Sequence, residues 1–260
     1  MHRFSYYSKY ILIVLTSAFI FTSMPVFAVP ISIGEQIVNG GFQTSGGAIS
    51  LDSWTTSGTV NGRLKTNTIN TSVGNAGFNN FFGSAFAVLG DSSGQIGNTP
   101  NAGIVTISQS FTLPSSFDGQ LIDSYDLNIG FYTAFDGRDS VDTSTVHDFF
   151  SATLGGISLF SQSSTLFPNT APSTTSANNQ LVNNPFNASI LGLSPGVYTI
   201  SFTLNEASGS GNNLTNTAAG IDNVSVTGFA NPAAVPEPAT MLLLGFGLAG
   251  LAAVRRKIKK

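Results

Sequence analysis

Val197-Tyr198-Thr199-Ile200-Ser201-Phe202-Thr203-Leu204 is the stretch on which the fold turns. Ile200, Phe202 and Leu204 fall on alternate positions, with Thr199, Ser201 and Thr203 between them. A period of two sends one set to a buried face and the other to solvent, the mark of a half-buried strand. Ile104 to Leu113 repeats the pattern, with Val105, Ile107, Phe111 and Leu113 on one side and Gln109 interrupting that side. Leu154-Gly155-Gly156-Ile157 reads as a two-residue hairpin turn between strands. Further strands are expected at 35–38, 54–60, 85–89, 125–133, 149–154, 157–160, 189–191 and 220–226. Asn61 to Gly83 and Ser161 to Asn187 are rich in Asn, Ser, Thr, Gly or Pro and are expected to be long loops. No helical spacer separates the strands, so the body is expected to be an all-β sandwich or barrel.

Composition narrows the function classes. The chain has no cysteine, which removes disulfides, thiolate metal sites, cysteine nucleophiles and a lipoprotein anchor. There are 21 phenylalanines against 6 tyrosines, and with abundant Gly, Ser, Thr and Asn this reads as a β-protein with many polar loops. Between residues 29 and 234 lie twelve acids and only three bases, Arg63, Lys65 and Arg138, for a net charge near −9. A nucleic-acid partner needs the opposite balance.

The two ends read as addresses. Arg3 and Lys9 precede the apolar stretch Tyr10 to Phe21, and Val26-Phe27-Ala28 supplies small residues at a cleavage site. Residues 1–28 are therefore expected to be a signal peptide, cut after Ala28 by signal peptidase. At the other end Pro236-Glu237-Pro238 precedes the uncharged run Ala239 to Val254 and the basic Arg255-Arg256-Lys257-Ile258-Lys259-Lys260. The prolines hold Glu237 extended and open to an enzyme. The run of 16 residues gives a helix of about 24 Å, short for a hydrocarbon core of about 30 Å, and the basic end can snorkel to make up the difference. Gly245-Phe246-Gly247-Leu248-Ala249-Gly250 fits a dinucleotide fingerprint. It lacks the strand, the βαβ unit and the acid downstream that such a site requires.

In this order of acidic Pro-Glu-Pro turn, short apolar helix and basic stop, residues 235–260 resemble the PEP-CTERM sorting signal of Gram-negative bacteria. That resemblance implies export, a transient single transmembrane helix in the inner membrane, and processing by an exosortase-type transpeptidase at Pro236, Glu237 and Pro238. It also implies release at the cell surface, in association with exopolysaccharide or biofilm. The tail is also similar to a C-terminal segment named for ice-binding proteins, but that name describes the sorting tail, and the body shows no regular Thr-x-Thr array to support ice binding.

Residues 29–234 form the expected domain. Its ends, Ile37-Val38-Asn39-Gly40-Gly41-Phe42-Gln43 with Ser53-Trp54, and Ala219-Gly220-Ile221-Asp222-Asn223-Val224-Ser225-Val226, resemble the bracketing strands of carbohydrate-binding jelly-roll modules. The resemblance implies a jelly-roll-like antiparallel β-sandwich whose first and last strands meet. It also implies a structural Ca²⁺ near that junction, with Asp222 at the acidic position and Gln43 where the family has Glu. A second set of calcium-type oxygens is Asp136, Asp139 and Asp142, spaced every third residue in an expected loop.

No catalytic constellation emerges. His147 stands beside Asp148, but there is no G-x-S-x-G elbow to fix a nucleophile. Trp54, the sole tryptophan, reads as core in preference to a sugar platform. The expected function is that of an exported, non-catalytic surface or matrix protein. A glycan-binding module that takes a neutral polysaccharide and a secreted hydrolase are the alternatives.

Overall fold

The computed structural model describes residues 28–43, 45, 47, 50–58, 82, 85–90, 103–137, 148–163, 180–206, 217–234 and 245–252. The chain divides into two compact units, Ile31–Ala230 on the one hand and Met1–Pro30 with Asn231–Lys260 on the other.

The first unit is built from strands. In chain order they are β1 (Ile31–Ser32), β2 (Thr55–Ser57), β3 (Ala87–Gly90), β4 (Gly103–Leu113), β5 (Ser116–Phe117) and β6 (Gln120–Gly137). There follow β7 (Phe149–Leu154), β8 (Ile157–Ser163), β9 (Gln180–Leu193), β10 (Gly196–Glu206) and β11 (Thr217–Pro232). One sheet runs β1-β11-β6-β5, with β3 also on β11 and β9 on β6; the other runs β2-β4-β10-β7-β8. Numbering the eight principal strands β3, β4 and β6 to β11 from one to eight gives the orders 1-8-3-6 and 2-7-4-5. This interleaving is that of a jelly roll, so the expected fold class is what the structure has. The first and last strands meet, Ile31 opposite Ala230.

The alternating stretch quoted first is β10, the centre of its sheet, paired with β4 from Gly196↔Leu113 to Glu206↔Gly103 and with β7 on its other side. Ile200, Phe202 and Leu204 are fully buried. Phenylalanines join the sheets: Phe131 of β6 stacks on Phe186 of β9 at 4.5 Å and meets Phe202 of β10 edge-on at 5.0 Å. Such pairs contribute roughly 0.5–1.5 kcal/mol beyond their burial. Trp54 is core, 8 % exposed, against Phe42 and Phe202. Its indole N–H donates to the carbonyl of Asn39.

Several expectations are corrected. Residues 35–38 do not form a regular strand. They run extended beside β11, where Glu35 interrupts the ladder: its Oε1 accepts from the N–H groups of Gln36, Ile37 and Val226, and its Oε2 from Ser225 Oγ. The loop expected at 161–187 is strand at both ends, as β8 reaches Ser163 and β9 starts at Gln180. Pro185 lies inside β9, which the described pairings join to β6 alone. A residue without an N–H is tolerated on such a border strand. Of the loop expected at 61–83, only Phe82 is described, in helical conformation. The Gly155-Gly156 turn is present, with φ of 55° and 85°, as a type I′ hairpin requires.

In the second unit residues 245–252 are helical. Phe246, Leu248 and Leu251 are exposed on that helix. Among the described residues no helix is long and apolar enough to cross a membrane.

Candidate functional site

Strand alternation decides what each sheet shows to solvent. On β11 the inward positions are Ala219 and Ile221, then Val224 and Val226, so the parity switches between 221 and 224. Asn223 absorbs the switch in left-handed conformation, φ 50°, as a β-bulge does. Gly40 closes on the bulge and accepts from Val224 N–H at 3.0 Å. A Cβ on Gly40 would stand 1.9 Å from the carbonyl oxygen of Val224.

Beyond the bulge the outward positions are Asn223, Ser225 and Thr227. Together with Asn128, Gly130 and Tyr132 of β6 and Pro185, Asn187 and Ser189 of β9 they line an open hollow of about 540 Å³. The β6–β9 register sets Asn128 opposite Ser189, Gly130 opposite Asn187 and Tyr132 opposite Pro185. Ser189 Oγ donates to Asn128 Oδ1 at 2.8 Å, which leaves the Asn128 amide nitrogen as a donor. A Cβ on Gly130 would meet Asn187 Oδ1 at 3.2 Å, so the glycine gives the amide room over the floor. Tyr132 is 44 % exposed. None of the lining residues is charged. The hollow therefore offers amides, hydroxyls and one aromatic ring, chemistry that suits an uncharged, hydroxyl-rich ligand. Of these residues sequence reasoning singles out only Tyr132, as an aromatic that is either core or sugar platform. Their signal was the polar half of the alternation on three strands, and only the register assembles it.

The expected metal ligands are less well placed. Asp222 lies on β11, 4 % exposed. Burial pushes its carboxyl up to about 6, against the opposing effect of the Asn223 N–H that Oδ1 accepts at 2.7 Å. Gln43 is exposed. Calcium takes six to eight oxygens. Among the described residues no three acidic or histidine side chains gather as a metal group, so Asp222 and Gln43 alone do not complete such a shell. Asp136 pairs with Leu181 near the end of β6, inside a strand instead of the expected loop. Asp139, Asp142 and His147 lie outside the described residues, as do Pro236, Glu237 and Pro238; Ala28 is described as half-buried. Gln109, the interruption on β4, is buried. Its Oε1 accepts from Val38 N–H at 2.7 Å and its Nε2 donates to Val38 O at 2.8 Å.

Likeness to solved structures is slight. The enzymatically active domain of bacteriophage CBA120 tailspike protein 4 is 14 % identical, with a TM-score of 0.38 over 75 % of this chain and 21 % of that one. This chain thus spans about a fifth of the tailspike domain's length. A family 35 carbohydrate-binding module from an environmental isolate is 13 % identical, with a TM-score of 0.22 over 83 % and 96 %. Latent PorU from Porphyromonas gingivalis is 16 % identical, with a TM-score of 0.28 over 49 % and 10 %. Likeness at this level carries nothing about activity. No curated protein matches the sequence. The C-terminus does match: residues 234–257 fit the PEP-CTERM protein-sorting motif. Behind its jelly-roll body the chain carries a PEP-CTERM sorting motif, which marks it as an extracellular protein exported across the inner membrane, transiently anchored there, and processed by an exosortase.

Proposed function

We propose that the protein is a non-catalytic component of the extracellular matrix that holds neutral exopolysaccharide in the hollow formed by β6, β9 and β11. The uncharged lining of that hollow supports this reading most directly. With a net charge near −9, the body repels anionic polymers over a Debye length of about 10 Å at 0.1 M salt. An uncharged sugar escapes that repulsion and is held by hydrogen bonds and by stacking on an aromatic face. Tyr132 supplies the face, and Asn128, Asn187 and Ser189 the bonds. Calcium belongs to the proposal through Asp222, whose buried carboxylate a divalent ion would neutralise.

The test is a glycan array and titration calorimetry with the mature extracellular protein. Binding of a neutral oligosaccharide, nearly constant between 50 mM and 500 mM salt and weakened at least tenfold by Tyr132→Ala, is the expected result. Binding confined to acidic polysaccharides and falling steeply with salt would refute the reading.

A further inference from the structure

The opposite face of the sandwich carries a second pattern. On the outer side of the five-stranded sheet the register joins Ser57, Thr106, Thr203, Ser151 and Ser161 in one row. The next row is Thr55, Ser108, Ser201, Thr153 and Ser158. All ten positions, on all five strands, bear a hydroxyl. A third, shorter row pairs Ser110 with Thr199. Neighbouring hydroxyls bond to each other, Thr106 to Thr203 at 2.9 Å and Ser110 to Thr199 at 2.8 Å. The inward positions between these rows are Thr56, Ile107, Phe202, Ala152 and Phe160, apolar on every strand but β2.

Burial does not require hydroxyls on the outer side, since any polar residue solvates a sheet face. Charge is the usual choice, and it also guards a sheet against unwanted association. Here charge is excluded. Of the body's twelve acids and three bases only Glu206, at the end of β10, falls within these five strands. At the end of the face stand the exposed apolar side chains of Ile104 (53 %) and Phe149 (44 %), flanking Asn205 in the same register row.

We propose that this face is an adsorption surface for an extended neutral polysaccharide lying across the strands. The inference rests on the reading that the protein works among neutral polysaccharides, and it adds a second surface to the hollow. Strands lie about 4.8 Å apart, a pitch comparable to the length of one sugar in an extended β-linked chain. A polymer crossing the sheet thus brings about one sugar to each strand of a row. Each hydroxyl both donates and accepts, so a row can pair with sugar hydroxyls of either role. One such bond, exchanged against water, contributes little. The arrangement favours a long, ordered partner over a short oligosaccharide, because the loss of translational freedom is incurred once for many contacts. Phe149 adds an aromatic ring at the end of the face.

The test is adsorption of the mature protein to insoluble cellulose and to insoluble β-1,3-glucan, with Tm measured for every variant. Thr106→Val/Thr203→Val keeps the β-branched shape and removes two hydroxyls from the first row; Ser201→Lys places a charge in the centre of the second. Ser116→Lys, on β5 away from the array, is the control. The expected result is adsorption by the parent and the control, a reduction of at least fivefold in the valine pair and in Ser201→Lys, and unchanged Tm. Tyr132→Ala should lose soluble oligosaccharide and still adsorb, which separates this face from the hollow. Unchanged adsorption by both face variants overturns the proposal, as does a parent that adsorbs to neither polymer. Partition of the parent, but not of its face variants, into slowly grown ice, with no adsorption to polysaccharide, also overturns it and assigns the hydroxyl lattice to ordered water.

Discussion

Gln109 and Asp222 show what a single polar residue does inside a β-sandwich. On β4 the glutamine occupies a position that alternation reserves for an apolar side chain, and it is admitted because its amide imitates a strand. It offers Val38 one acceptor and one donor, and leaving such groups unpaired in the interior costs about 1–3 kcal/mol each. The sequence marked Gln109 as an exception but held no sign of its partner, 71 residues away. Asp222 was legible as a position and not as an environment. Its carboxyl titrates near 6 in the folded protein, above its ordinary value of 3.8. A raised acid binds its proton more tightly when folded, so its contribution is fully present below about pH 4. It is lost as the pH rises through about 6, by an amount on the order of 2–3 kcal/mol. Asp222→Asn keeps an acceptor for the Asn223 N–H and cannot ionise. Urea denaturation should find the variant close to the parent at pH 4 and more stable at pH 7.5; a difference between the two that stays constant over that range would contradict the assignment. At pH 7.5 millimolar Ca²⁺ should raise the Tm of the parent and leave that of the variant unmoved. No shift in the parent would remove calcium from the proposal.

At the scale of elements, alternation located most strands and mistook the ends of several. Strand β9 was expected as three residues because Pro185 and the Asn-rich segment before Ser189 read as loop. Its place on the border of a sheet, which sequence does not reveal, makes proline tolerable there. The change of parity between Ile221 and Val224 lies inside the strand expected at 220–226, where no bulge was expected. Nor was the need for Gly40 legible, because it arises from close approach of a segment more than 180 residues earlier in the chain. Gly40→Ala drives a methyl group into the backbone of β11 and displaces the bond to Val224. It should cost about 3 kcal/mol or more, read as a lowered urea midpoint. Gly196→Ala, where a Cβ meets nothing closer than 3.7 Å, should change stability by no more than about 1 kcal/mol. Equal costs at the two sites would mean that the contact at Gly40 does not limit the bulge. The hydroxyl rows follow the same division. Thr106-x-Ser108-x-Ser110 and Thr199-x-Ser201-x-Thr203 are visible along their own strands. Their merging into a lattice over five strands depends on pairings that no local pattern fixes, so the array is not legible from any one segment.

For the whole molecule, the C-terminal address was the most legible part. It is short, local and chemically ordered, and it coincides with the motif at residues 234–257. Mass spectrometry of the protein recovered from the cell surface should find an N-terminus near Val29 and no residues from Leu242 onward; an intact C-terminus on that form would contradict exosortase processing. The jelly roll was legible as a class through alternation and through the segments that bracket it, of which only the C-terminal one is a regular strand, whereas the hollow depended on three strands brought side by side from distant parts of the chain. The attachment point also has a mechanical meaning. The segment that leads to the sorting motif leaves from β11, which has β1 and β3 along one side and β6 along the other. Tension applied through the C-terminus before release therefore pulls lengthwise on an interior strand. Its ladders on both sides resist in shear, many bonds at once, whereas a tether on a border strand would peel the sheet open bond by bond. While the protein is still held at the membrane, a pull on its body would be borne by a strand laddered on both sides.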